Sequence, residues 1–200
     1  MHKKSEPIKC KDDIKKIKQY FISSGTSYGR LLEWDKQLLY FVLGINTCYK
    51  TEELLNLKWS DIFNYDTMSV KDYIEYTGYK FYLNNNCKNA IFDFIEKYNK
   101  FNVDTYVFAS RSKVYEPITN EGINRVYRKM QKELGLPFNF STMSLRKTFA
   151  YWQIYYCQRD YIKMSKLREL LHTTTMSNDI NIFSGFDFEN DMIYTNEINL

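Results

Sequence analysis

Histidine is nearly absent: only His2 and His172 occur in 200 residues, and the four cysteines, Cys10, Cys48, Cys87 and Cys157, stand far apart without a C-x-x-C pair. No zinc-ligand spacing can be assembled from that set, so free thiols are expected; no cofactor is expected either. Three prolines and seven glycines exclude a collagen-like or low-complexity chain. No apolar run approaches the roughly 18 residues of a membrane span. The N-terminus "MHKKSEPIKC" lacks the apolar stretch of a secretory leader. A cytoplasmic protein is the expectation.

What is present is apolar and aromatic. Hydrophobic residues make up 44% and aromatic residues 18%, enough to bury one core of ordinary size and too many for a disordered chain. Net charge is +4, unevenly placed. No Lys or Arg follows Arg168, while Asp179, Asp187, Glu189, Asp191 and Glu197 occupy the end of the chain. Residues 1–171 thus hold all 28 cations and 19 of the 24 anions, a net of +9. A basic body with an acidic tail suits a polyanionic partner. A solvated surface with chance asymmetry is an equal alternative on charge alone.

Apolar spacing predicts a mostly helical chain with a small antiparallel sheet (an α+β class). Ile14, Ile17 and Phe21 give a short basic helix one apolar side, with Gly25 as its end. Leu31, Trp34, Leu38 and Val42 predict a core helix over 28–44. Thr51 is the expected cap of "TEELLNL". "MSVKDYIEYTGYKFYLN" reads as a hairpin turning at Thr77–Gly78, with Val70, Ile74 and Tyr76 on one face. Ile91, Phe94, Ile95 and Tyr98 mark a further helix, and "TYVFAS" a third strand. Ile123, Val126, Tyr127, Met130 and Leu134 mark another helix, closed by Gly135 and followed by Pro137. Two more are expected around 145–156 and 162–171.

The order of four segments carries a resemblance. "FVLGINTCYKTEELLNLKWSDI" resembles the T-G-L-R-x-S-E-L-L-x-L-x-W-x-D box of tyrosine recombinases (phage integrases). "FASRSKVYEPITNEGINRVYRKMQKELGL" resembles their F-x-S-R…PIT…helix segment. "STMSLRKTFAYW" resembles the H-x-L-R-[HK]-T-F box, and "LRELLHTTTM" the L-G-H-S-S box. Together they cover residues 30–185, and the chain is most similar to short integrases of Gram-positive phages and plasmids. One such segment alone is a weak signal; four in order are specific.

The resemblance implies a fold, a partner and a chemistry. The partner is double-stranded DNA. A tyrosine hydroxyl attacks a phosphodiester, two arginines fork onto the non-bridging oxygens, a hairpin lysine protonates the leaving oxygen, and histidines orient and shuttle protons. No metal takes part. Carried over position by position, the first arginine falls on Lys50, which keeps charge without the planar fork. The hairpin lysine falls on Tyr76, with Lys80 the nearest substitute across the turn. The first histidine falls on Met143. The second arginine is intact as Arg146 and the later histidine as His172. The nucleophile falls on Asn181 without gaps, or on Phe183 if "IFSGF" matches the family's "RYIGI". Neither side chain can attack phosphorus.

A DNA-binding relative without strand exchange is therefore expected. Losing one stabilising donor costs about 10²–10³ in rate, whereas losing the attacking atom removes the covalent intermediate altogether. An active recombinase using the displaced Tyr194 is one alternative. A module that pairs with itself or with an intact integrase through the acidic tail is another. Lys50, Lys80, Arg111, Arg125, Arg146, Lys147 and His172 are the candidate DNA contacts, with Lys113, Arg128 and Lys129 beside them. Each has a plainer reading as a solvated or structural charge. Met143 and Phe183 are expected to fill core, and Leu145, Phe149 and Trp152 to form it. The expected layout is a short basic extension over 1–26, a catalytic-like domain over 27–185, and an acidic tail over 186–200. The first 26 residues are too few for the separate N-terminal DNA-binding domain of typical members. The expected location is the cytoplasm, on the nucleoid when bound to DNA.

Overall fold

The structure, a computed structural model, describes residues 4–28, 31–76, 79–98, 102–113, 115–157, 160–171 and 184–185. Its centre is a helix whose second half is apolar on all sides. This is α2 (Leu31–Asn46), where Leu39, Tyr40, Phe41, Val42, Leu43 and Ile45 are all buried. A helix apolar all round must be covered all round, and α2 packs against α1 (Lys11–Tyr28), α5 (Asn85–Tyr98) and α7 (Thr142–Cys157). Leu31, the first residue of the expected stripe, is instead 44% exposed.

Ile14, Ile17 and Phe21 do face the core from α1. The helix does not stop at Gly25. A Cβ there would lie 3.2 Å from Leu31 Cδ2 and 3.5 Å from Trp34 Cβ, so Gly25 admits the close start of α2 rather than ending α1. The region expected as a short basic extension thus contributes Ile8, Ile14, Ile17 and Phe21 to the core.

Short elements follow: α3 (Thr51–Leu55), α4 (Trp59–Ile62), β1 (Phe63–Asn64) and β2 (Ser69–Val70), which pair antiparallel, then β3 (Tyr73–Tyr76) and β4 (Tyr79–Tyr82). The hairpin β3–β4 pairs Tyr73 with Tyr82, Ile74 with Phe81, Glu75 with Lys80, and Tyr76 with Tyr79. Val70 belongs to the other ribbon, opposite Phe63, not to this hairpin. Residues 105–109 form no strand. They meet their neighbours only at the single bridges Lys58–Tyr106 and Ala109–Pro117, because their backbone groups divide between Leu57, Trp59 and Ile118. The cap of α3 is Lys50, one residue before the expected Thr51.

The last part is helical. In α6 (Asn120–Leu134) the Thr119 hydroxyl accepts from Gly122 N, and Gly135 closes the helix in the left-handed region at φ 60°. Both features follow the sequence. In α7 and α8 (Tyr161–Leu170), Leu145, Trp152, Met164 and Leu167 are buried. Cys10 is exposed and Cys48, Cys87 and Cys157 are buried, all as free thiols. Among the described residues no helix is long and apolar enough to cross a membrane.

Candidate phosphate-binding site

The site begins where α7 begins. Thr142 is tied to α6: its N–H donates to Asn124 Oδ1 at 3.0 Å, its hydroxyl donates to Asn120 Oδ1 at 2.9 Å, and Asn124 Nδ2 donates to that hydroxyl at 3.4 Å. This fixes the first turn of α7, and one turn on comes Arg146. Its side chain runs inward, only 9% exposed. Nε donates to Cys48 O at 2.7 Å, and Nη2 donates to Leu171 O at 2.8 Å.

One guanidinium therefore joins three distant segments. Cys48 lies two residues before Lys50, and Leu171 immediately precedes His172. The segments that resemble the first, third and fourth family boxes meet at Arg146. His172 itself lies outside the described residues, as do Asn181, Phe183 and Tyr194.

Lys50 is exposed and caps α3. Its N–H is taken by Glu53 Oε2 at 2.7 Å, and its Nζ lies 4.0 Å from Glu53 Oε1. A helix of five residues whose capping N–H already holds a carboxylate is no anion site in itself. The ammonium is what Lys50 brings. Glu53 is a site residue that reading for cations alone missed, although it stands in the E of the first box. Burial lowers the Arg146 guanidinium below its ordinary value, opposed by Cys48 and Glu53. Burial also pushes the Cys48 thiol up to about 12, against the pull of Arg146, so this thiol is neutral and no nucleophile.

Met143 is 40% exposed, contrary to the expectation of a core filler. Its neighbours Thr142 and Ser144 are buried, so the helix turns position 143 outward. It sits three residues before Arg146 and hence on a neighbouring part of the helix surface.

Lys80 is a poor stand-in for the hairpin lysine, and strand parity is the reason. Successive residues of a strand point to opposite faces. Ile74, 1% exposed, and Phe81, 5.0 Å from the Tyr49 ring, form the inward row. Lys80 belongs to the other row with Tyr73, Glu75 and Tyr82, and lies over the Tyr73 ring at 4.4 Å from its centroid. The register partner of Lys80 is Glu75, not position 76. Lys80 thus faces away from Tyr49 and the Lys50 segment.

Lys147 is half-buried, and its Nζ donates to Ser5 O at 2.7 Å. Of the two readings expected for it, a solvent-facing lysine or a DNA-backbone contact, the first does not hold. Arg111 and Arg128 are exposed. Arg125 lies 3.9 Å from Glu121, Lys129 3.7 Å from Glu133, and Lys113 3.0 Å from Glu116, pairs of little energetic weight at an exposed surface.

A family profile described as "Phage integrase family" matches residues 11–155, a span holding both Lys50 and Arg146. The probable integrase/recombinase YoeC of Bacillus subtilis (strain 168) is 22% identical over 162 residues, 81% of either chain. In fold, the chain is similar to the crystal structure of XerA recombinase, with a TM-score of 0.65, 16% identity, and 94% of this chain covered. It is also similar to the Tn1549 transposon integrase in complex with circular intermediate DNA, with a TM-score of 0.51, 16% identity and 86% covered. It spans 63% and 60% of those two solved chains. The mostly helical fold with small antiparallel sheets is that of tyrosine recombinases. With the profile matching well over half of its length, this chain belongs to the phage integrase family.

Proposed function

We propose that this protein binds double-stranded DNA through the face bearing Lys50 and Arg146, and that it does not exchange strands by the family's usual route. The observation that carries the reading is the Arg146–Cys48 hydrogen bond, which fixes the retained arginine two residues from the exposed Lys50. A guanidinium held by neutral carbonyls keeps its positive charge, which favours a phosphate oxygen. The DNA held by the similar transposon integrase supports the same partner. The loss of exchange rests on substitutions that the resemblance implies: Lys50, Tyr76, Met143 and either Asn181 or Phe183 stand for an arginine, a lysine, a histidine and the attacking tyrosine. Arg111, Arg125 and His172 are further backbone contacts in this reading, and its setting is the cytoplasm, on DNA.

A mobility-shift assay with duplex DNA, paired with a suicide DNA substrate that traps covalent intermediates, tests it. A salt-sensitive shift without an adduct is expected. An adduct that disappears in Tyr194→Phe establishes the active-recombinase alternative instead. A second reading, a module that pairs with itself or with an intact integrase, is favoured by one observation: Tyr161 and Ile162 open α8 at 83% and 70% exposure. Loss of pairing on Ile162→Asp, with no DNA shift from the parent chain, selects that reading.

A further inference from the structure

The N-terminal segment before α1 is bound along α7 by a row of specific contacts. Lys147 Nζ donates to Ser5 O at 2.7 Å. Glu6 N donates to Asn139 O at 2.9 Å, and Asn139 N returns to Glu6 Oε1 at 3.2 Å. Ile8 N donates to Thr148 Oγ1 at 2.8 Å, and Trp152 Nε1 to Ile8 O at 3.0 Å. Pro7 is buried, Ile8 is 0% exposed, and Lys9 lies 5.2 Å from the Tyr151 ring centroid. Extended backbone satisfied this way by side chains of α7 and by the Asn139 backbone just before that helix is a docked strap, not a loose arm.

The same strap meets the far end of the chain. Ser184 is fully buried, and Gly185 has φ +66°. A Cβ on Gly185 would lie 3.3 Å from Pro7 Cδ and 3.4 Å from Pro7 Cγ. The left-handed backbone favours glycine there, and an added Cβ would press closely on the proline ring. Ser184 directly follows position 183, one of the two positions, with 181, to which the resemblance assigns the attacking residue.

We propose that Ser5–Lys9, docked on α7, and Ser184–Gly185, packed on Pro7, form one lock, in which the N-terminal strap holds residues 184–185 in place. Its meaning for DNA chemistry rests on the reading of the site given above; the lock itself does not. Whatever holds residues 5–9 elsewhere competes with the docked state, so the placement of the strap and of residues 184–185 are linked equilibria. The device acts through Pro7, Lys147 and Gly185 as positioning residues, none of which touches a reacting atom.

Hydrogen exchange on the full chain tests the lock without DNA. Pro7→Gly removes the ring against Gly185, and Lys147→Met removes the anchor of Ser5. Each is expected to speed exchange about tenfold both in peptides spanning 5–9 and in those spanning 184–185, the size of one lost buried contact. Gly185→Ala, altered at the other end, is expected to speed exchange in 5–9. The helix α6 and a control variant, Lys113→Met, keep parent rates. Three outcomes overturn the proposal: a faster strap with 184–185 unchanged, a strap indifferent to Gly185→Ala, or equal acceleration across α6. A chain that fails to bind DNA yet shows the coupled exchange retains the lock and loses only the functional reading.

Discussion

A methyl group on Gly44 would lie 2.4 Å from Leu145 Cδ1 and 3.0 Å from Leu145 Cβ, so α7 is seated directly on the backbone of α2. Arg146 follows Leu145 in the chain, and its reach to Cys48 O depends on that seat. In a free helix, alanine is favoured over glycine by about 1 kcal/mol. Here the overpacking cost of about 1–3 kcal/mol wins. Gly44→Ala is therefore expected to lower the urea midpoint rather than raise it. A raised midpoint means that α7 is not held by this contact.

Arg146 holds two buried carbonyls, and its removal leaves both without their donor. Arg146→Met is expected to cost about 2–5 kcal/mol in urea unfolding, in the range seen for broken buried charge-assisted bonds. Arg146→Lys recovers only part, since one ammonium lacks the planar fork that reaches Cys48 and Leu171 together. Full stability in Arg146→Met contradicts the clamp. Loss of DNA binding in this variant alone cannot separate folding from contact, which makes Lys50 the cleaner probe.

Alkaline pH is expected to weaken the fold. Burial pushes the Cys48 and Cys87 thiols and the Tyr156 hydroxyl up to about 12. In the unfolded chain thiols titrate near 8.5 and tyrosine near 10. Between those values and about 12 the folded chain holds protons that the unfolded chain has released, so stability falls as pH rises. The contribution is whole below about 8.5 and is lost as the pH climbs through 12. The urea midpoint is expected to hold from pH 7 to 8 and to fall from pH 9 upward. A midpoint constant to pH 11 contradicts this.

Thiol titration reads the burial pattern directly. Of the four cysteines only Cys10 is exposed. Under native conditions a thiol reagent is expected to modify Cys10 at once and Cys48, Cys87 and Cys157 only through unfolding. In denaturant all four react. Fast native labelling of Cys48 is incompatible with the site geometry.

Much of this was legible in sequence, where the signal is local. The stripe Ile123, Tyr127, Met130 and its Gly135 stop gave α6, and Ile14, Ile17 and Phe21 gave the core face of α1. Gly25 misled because its role is a helix–helix approach, which one helix cannot disclose. Residues 105–109 look like a strand, but their hydrogen-bond partners lie in separate segments. The carbonyl clamp on Arg146 leaves no trace in residue types, since any residue supplies a carbonyl. The parity of Lys80 could have been counted: a two-residue turn pairs 75 with 80 and 76 with 79, placing Lys80 opposite Glu75, not position 76. The strap was read only as charge, although Pro7 and Ile8 were its apolar anchors.

Binding of the full chain to duplex DNA across a salt series, for the parent and for Lys50→Met, tests the central claim most directly. Lys50 is exposed and its ammonium lies 4.0 Å from Glu53 Oε1, a weak pair, so the variant is expected to keep its unfolding curve. The account predicts that log affinity falls linearly with log salt for the parent, and that Lys50→Met flattens the slope by about 0.9, one phosphate contact. Absence of salt-sensitive binding by the parent, or an unchanged slope in Lys50→Met, contradicts it.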